Sequence, residues 1–243
     1  MNLKGKTVLV TGGGSGMGLA IAEALAREGC KVAISGRTAD TLEQAATAVG
    51  ASELLRWTVC DVANRKEVKQ MFDWFEQELG AIDILVNCAG TNVAKRMMAD
   101  LDPAEFDQVM ATNLTGTFNC IHAVLPGMRE RRSGLIINVV SIAGKRSMKL
   151  AGMPYCVSKF AQGALGTFVN QEAADEGVRV TNIYPGETNT PIVDRRPEPP
   201  PAERRAQMLQ PEDIAHCVLM VAKLPPRAIV PELVVTTPYM ILD

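Results

Sequence analysis

The sequence predicts one α/β domain over residues 1–243: a doubly wound parallel sheet of about seven strands with helices on both faces. Three observations lead there. Short β-branched runs alternate with longer amphipathic ones along the whole chain, the pattern of repeated βα units. The strand-like runs are almost continuously apolar, as in Thr7–Thr11 (TVLVT), which is how a strand buried on both faces reads. The length of 243 residues suits one large core, and no break in composition divides it.

The elements follow in order. Gly16–Glu28 reads as a helix, with Leu19, Ala22, Leu25 and Ala26 at three- and four-residue spacings. The cycle then repeats as strand Lys31–Ser35 and helix 38–49, strand Leu54–Cys60 and helix 64–79, strand Ile82–Asn87 and a helix around 103–131. Strand Leu135–Ser141 and helix 153–176 come next, then Val178–Tyr184, a helix over 211–223, and a last strand near Leu233–Thr236. The period is that of a βα unit and not of a solenoid. Thr188–Gln210 stands apart, with Pro191, Pro197, Pro199, Pro200 and Pro201 among Arg195, Arg196, Arg204 and Arg205. Its polyproline stiffness predicts a semi-rigid excursion over the C-terminal edge of the sheet, a substrate loop at about 187–210.

Composition excludes several functions. A 47% hydrophobic fraction rules out disorder, and a net charge of −2 supplies no bulk positive field for nucleic acid. Aromatics at 5% leave few platforms for stacking bases. The two histidines, His122 and His216, lie in helical patterns and read as structural, so no metal site is expected. The cysteines at 30, 60, 88, 120, 156 and 217 form no CxxC pair and no zinc spacing, and they read as buried or half-buried free thiols. Met1–Lys6 leads straight into a strand, and no apolar run approaches 18 residues. The expectation is a cytoplasmic protein without a membrane partner.

Gly12-Gly13-Gly14-Ser15-Gly16-Met17-Gly18 lies where the first strand meets the first helix. In that context glycines let a backbone approach a pyrophosphate, and the free N–H groups of a helix start supply donors and a positive dipole end. A dinucleotide-binding Rossmann fold is the reading; the missing Walker lysine disfavours an NTPase loop. The second strand ends Ser35-Gly36-Arg37-Thr38 where an acidic side chain would select NAD. Arg37 can pair with a 2′-phosphate, and Ser35 or Thr38 can donate to one, which favours NADP(H) over NAD(H). Asp61, with Val62 beside it, follows the third strand, and Asp61 could accept from the adenine amino group.

Four further fragments carry a family resemblance. Asn87-Cys88-Ala89-Gly90 ends the fourth strand, and Asn113 stands in Thr112-Asn113-Leu114-Thr115-Gly116. Ser141 ends the fifth strand, and Tyr155-Cys156-Val157-Ser158-Lys159 opens the next helix. Pro185-Gly186 ends the sixth, with Thr190 five residues after the proline. Together with the glycine turn, these resemble a short-chain dehydrogenase/reductase of the carbonyl/alcohol-interconverting branch over nearly the whole chain. The residue chemistry agrees independently. Tyr155 and Lys159 are four apart on one helix and share a face. A free tyrosine titrates near about 10, and a neighbouring ammonium with an oxidised nicotinamide is expected to lower that value. Tyr155 would then exchange a proton with the carbonyl oxygen, which Ser141 can also hold.

The resemblance implies more. Lys159 binds the nicotinamide ribose, Asn113 anchors a water that links Lys159 to solvent, and Thr190 with the backbone beside Pro185 holds the carboxamide. Asn87, Ala89 and Gly90 join the cofactor-binding set. The implied enzyme transfers a hydride between NADP(H) and a ketone or secondary alcohol. A non-catalytic NADP(H) sensor is the alternative, and within the enzyme class a 3-oxoacyl-thioester or small hydroxy-acid reductase. The loops expected to wall the substrate pocket carry Lys95, Arg96, Lys145, Arg146, Lys149, Arg195 and Arg196. Helices 103–131 and 153–176 would form the core of a homodimer or homotetramer.

Overall fold

The structure, a computed structural model, describes residues 1–49 and 55–240. Its strands are β1 (Thr7–Thr11), β2 (Lys31–Gly36), β3 (Leu55–Val59), β4 (Ile84–Asn87), β5 (Gly134–Val139), β6 (Val178–Pro185) and β7 (Glu232–Val235). The helices are α1 (Gly16–Arg27), α2 (Ala39–Ala48), α3 (Arg65–Leu79), α4 (Pro103–Met110), α5 (Gly116–Glu130), α6 (Met153–Ala173), α7 (Ala202–Gln207) and α8 (Pro211–Lys223). The strands form one seven-stranded sheet in the order β3-β2-β1-β4-β5-β6-β7, every pairing parallel. The chain winds outward in both directions from β1 and β4, so a crevice opens at their C-terminal ends.

Alternation along each strand splits the apolar side chains between two cores. Val8 and Val10 pack on one face with Ile34, Val86, Ile137, Leu25 and Val218. Leu9 faces the other way, among Ala33, Leu85, Ile136, Phe75 and Met128. Helix starts are set by short polar caps. The Asn64 side chain accepts from the N–H groups of Lys66 and Glu67 ahead of α3, and Asp102 accepts from Ala104 ahead of α4.

The expected elements recur with local differences. The helix expected around 103–131 divides into α4 and α5 at a π-turn, Ala111–Thr115. The third strand begins at Leu55, and Leu54 lies outside the described residues; Cys60 follows the strand's end. Ser141 is not in β5. The strand stops at Val139, and Ser141 starts a short 3-10 turn, its hydroxyl accepting from the Ala143 N–H at 3.1 Å. The excursion after β6 is more ordered than its prolines suggest, containing a 3-10 turn at Pro191–Arg195 and helix α7.

One polar feature crosses the middle of the sheet. Asn87, Asn138 and Asn182 are register partners on β4, β5 and β6. Asn87 Nδ2 donates to Asn138 Oδ1 at 2.9 Å, and Asn138 Nδ2 donates to Asn182 Oδ1 at 2.9 Å. Asn182 Nδ2 then donates to the Gly163 carbonyl on α6, also at 2.9 Å.

Candidate active site

A groove of about 290 Å³ runs along the C-terminal ends of β1, β2, β4 and β5. Its floor is the glycine turn. Gly12 and Gly16 have φ of +68° and +53°, the left-handed region that other residues seldom adopt. A Cβ on Gly12 would lie 2.8 Å from the Ala89 Cα, and one on Gly16 would lie 3.1 Å from the Thr190 methyl. A Cβ on Gly18 would collide with the Gly12 carbonyl, so α1 can start this close to β1 only with glycine there. Ser15 precedes α1 without capping it through its side chain, and no acidic residue stands in the first turn. The first-turn amides, including those of Met17 and Gly18, are therefore donors available to an anion. A pyrophosphate fits this cradle.

The groove's other walls bring together most of the residues singled out from sequence. Arg37 and Thr38 are exposed at one end. Ser35 is not available to a phosphate: strand alternation turns its side chain into the sheet, fully buried, its hydroxyl without a partner among the described residues. Asp61 and Val62 line the groove, with Asp61 Oδ1 accepting from the Ala63 N–H at 3.0 Å. Ala89 and Gly90 form the wall after β4, held by the Thr11 hydroxyl, which accepts from the Cys88 and Ala89 N–H groups at 3.2 Å. Asn87 is behind that wall, its side chain committed to the asparagine chain described above.

Tyr155 and Lys159 close the far end of the groove. Lys159 is buried. Its Nζ donates to the Val139 carbonyl at 3.1 Å and to Gln162 Oε1 at 2.7 Å. Gln162 Nε2 donates to the Thr117 hydroxyl at 2.9 Å, and that hydroxyl donates to the Asn113 carbonyl at 2.9 Å. Asn113 lies in the π-turn, its side chain pinned by Thr91 N–H (2.8 Å), Thr91 carbonyl (3.1 Å) and Ser158 Oγ (2.9 Å). Sequence reading missed Gln162 and Thr117. The signal available was a glutamine three residues past Lys159 on its helix, at a position otherwise in phase with the core.

Burial governs the titrations. The protein around the half-buried Tyr155 pushes its phenol up to about 12, with Ser141 pulling in the opposite direction. In the chain by itself the shift runs opposite to the lowering expected from an ammonium and an oxidised nicotinamide together: Lys159 Nζ is turned toward Val139 and Gln162, 5.6 Å from the Tyr155 ring centre. Burial lowers Lys159 to about 8 and raises Cys88, on the groove wall, to about 12, keeping it a thiol.

A smaller recess of about 100 Å³ adjoins the groove. Ser141 and Tyr155 stand on its inner side, with Val140, Ile142, Met148, Leu150 and Met240 as apolar walls. Pro185 and Gly186 line this recess instead of the groove, while Thr190 lines both. The seven basic loop residues separate. Arg96 and Arg196 line the recess and Arg195 the groove. Lys145 points elsewhere, paired with Glu232 at 2.6 Å and lying over the Tyr184 ring. Lys95 and Lys149 are exposed, and neither they nor Arg146 line these two cavities. Glu187, which sequence reading passed over, is buried at the recess edge, bonded to Arg196 at 2.9 Å and Arg204 at 2.6 Å.

His122 and His216 sit exposed on α5 and α8, lining neither cavity. The six cysteines are free, four buried and two half-buried, as expected. Among the described residues no helix is long and apolar enough to cross a membrane.

A family model described as short chain dehydrogenase matches residues 6–200. An uncharacterized oxidoreductase of Staphylococcus aureus is 35% identical over 233 residues, 96% of this chain and 97% of that protein. Glycine betaine reductase ATRR of Emericella nidulans is 34% identical over 240 residues, 96% of this chain, which spans only 19% of that protein's length. Among solved structures, the closed form of serine dehydrogenase complexed with NADP+ superposes with a TM-score of 0.88 at 30% identity, covering 98% of both chains.

Proposed function

This chain belongs to the short chain dehydrogenase family, whose members here are NAD(P)-dependent oxidoreductases, and on that premise we propose that it interconverts a ketone and a secondary alcohol with NADP(H). The observation that carries this reading is the position of Tyr155. Of the described residues lining both groove and recess, it is the only one that titrates. A proton donor at that junction can serve a carbonyl that faces a hydride source.

Gly12, Ser15, Gly16, Met17 and Gly18 would hold the pyrophosphate, Arg37 and Thr38 the 2′-phosphate, and Asp61 and Val62 the adenine. Asn87, Ala89 and Gly90 would back the central part, Lys159 and Tyr155 the nicotinamide ribose, and Pro185, Gly186 and Thr190 the carboxamide. When bound, the cofactor supplies a hydride as NADPH or accepts one as NADP+. Tyr155 Oη gives its proton to the carbonyl oxygen as the carbon is reduced, and takes it back from the alcohol in reverse. Ser141 holds the same oxygen. Burial keeps Tyr155 as the neutral phenol that reduction requires. The Lys159 ammonium, held by Val139 and Gln162, stabilises the phenolate left behind, and the apolar recess walls exclude water.

NADP preference rests on Arg37 and is supported by the NADP+ in the serine dehydrogenase structure. Arg37→Ser should raise the KM for NADPH about tenfold while hardly moving that for NADH, a change in line with loss of a charge-assisted hydrogen bond. A homo-oligomer is the proposed assembly, because Phe118 on α5 and Val157, Phe160 and Phe168 on α6 are exposed; sedimentation would measure it. The test of the activity is NADPH oxidation with a panel of ketones, β-keto esters and diketones. NADPH binding without turnover on any of them would favour a cofactor-sensing role instead.

A further inference from the structure

The recess holds more positive charge than it neutralises. Arg96, on the loop after β4, is 3% exposed. Its guanidinium donates only to backbone carbonyls: Nε to Ala94 at 3.4 Å, one terminal nitrogen to Leu150 at 3.1 Å and the other to Arg195 at 2.7 Å. Among the described residues it has no acidic partner. A guanidinium carries five N–H donors, so two remain without an acceptor.

Its neighbours do not supply the missing anion. Arg196 also lines the recess; burial, with the Arg196 charge adding to it, pushes the Arg96 pKa down. Glu187 is the acidic side chain at the edge, and it is already shared between Arg196 and Arg204. Two guanidiniums, Arg96 and Arg196, therefore line the recess with the carboxylate of Glu187, which Arg204 also shares from outside it. A buried charge without a counterion is costly, so a ligand carrying the opposite sign would stabilise this one. The seat of Arg96 is also specific. Gly152, with φ of +83°, packs so closely that a Cβ there would lie 2.5–2.6 Å from Arg96 Cβ, Cγ and Cδ.

We propose that this recess is a carboxylate subsite, in which the two free N–H groups of Arg96, with Arg196 beside it, receive the acid group of a small oxo acid or the corresponding hydroxy acid. The proposal rests on the oxidoreductase reading above and names its substrate class. A cavity of about 100 Å³ has room for a molecule of a few carbons. In reduction, a hydride from NADPH forms the new C–H bond and the C=O π bond breaks. The proton passes from Tyr155 to oxygen and is later replaced from solvent, and the carboxylate is unchanged.

The experiment compares kcat/KM with NADPH for a short oxo acid and its methyl ester, in the wild type and in Arg96→Gln. The wild type should prefer the acid by about tenfold or more, since a site built to pair a polar group rejects the analogue lacking it. In Arg96→Gln the acid-to-ester ratio should fall toward one, and Arg96→Lys, which keeps the charge without the fork, should retain part of it. A wild type indifferent to the ester, or an Arg96→Gln that slows both substrates equally, would overturn the proposal and leave Arg96 as a loop staple. If no carbonyl compound turns over, the reaction reading fails, and the subsite is judged by binding. A short hydroxy acid should then raise the melting temperature of the wild type with NADP+ more than its amide does, with the difference lost in Arg96→Gln. Equal shifts from acid and amide, or none, would count against the subsite.

Discussion

The groove and the recess meet at Tyr155 but are built by different means. The groove is made where strands end and helices begin: the turn between β1 and α1, the loop after β4, and the first turns of α6. At its floor the contacts are backbone contacts, enforced by glycines where a side chain would collide with neighbouring atoms. The recess is closed instead by loop residues far apart in sequence, joined through arginines. Arg96 reaches the Arg195 carbonyl, Arg195 reaches the Thr91 hydroxyl at 2.6 Å, and Arg196 and Arg204 converge on Glu187. A rigid scaffold carries the chemistry common to many substrates, and side-chain clasps that can change by single substitutions carry selectivity.

The junction gives the largest expected effect. Tyr155→Phe should lower kcat by roughly 10²–10⁴-fold with KM little changed, because it removes the proton donor and leaves both cavities in place. Steady-state kinetics on the best substrate of the panel checks it. A Phe variant at near wild-type rate would mean that another group protonates the product.

On the groove side, Gly18→Ala should destabilise the fold by about 1–3 kcal/mol in urea unfolding and weaken NADPH binding with it. The new methyl meets the Gly12 carbonyl, a backbone atom that cannot step aside. The third effect is smaller and lies between the two regions. Gln162→Leu removes the acceptor that holds the Lys159 ammonium, so Lys159 should lose its proton at a pH below about 8. The alkaline limb of the kcat profile moves to lower pH, and the rate at neutral pH falls about tenfold. An unmoved limb would assign Gln162 to packing alone.

The smallest change in global stability belongs to the recess. Glu187→Gln cuts both ion pairs of the clasp, yet the loss should be local opening of residues 191–210 and not unfolding of the sheet. Proteolysis within that segment should accelerate and substrate KM rise several-fold, with a melting temperature within about 2 °C of wild type. Should the melting temperature fall as far as in Gly18→Ala, the separation between scaffold and clasp would collapse.

The same division explains what was legible in the sequence. β1, α1 and the turn between them follow from local signals, a run of β-branched residues and glycines at fixed spacing, and the structure keeps those bounds within a residue. Tyr155 and Lys159 were legible because four residues along a helix share a face. The break between α4 and α5 was not, because the π-turn's side chains do not interrupt the helical pattern. Helix α7 was hidden behind Pro199, Pro200 and Pro201, which read as extended chain but serve here as its lead-in. Arg96 was legible as one of seven basic residues on the pocket loops, but nothing local separates it from the others, and Glu187 carried no signal at all. Only long-range folding buries Arg96 against residues some fifty and a hundred positions away.

The chain of asparagines through β4, β5 and β6 has a consequence of its own. Strands such as Ile84–Asn87 and Gly134–Val139 are apolar on both faces, so sliding one past the next would still bury oil against oil. An amide cannot slide that way. Asn87 and Asn138 each donate to the next amide along the row, and a displacement of even one residue would break both bonds and leave their buried partners without them. The row acts like the pins of a tumbler lock, admitting a single alignment. That alignment sets the tips of β4, β5 and β6 level with one another, which is where the loops bearing Ala89, Ser141 and Thr190 take off.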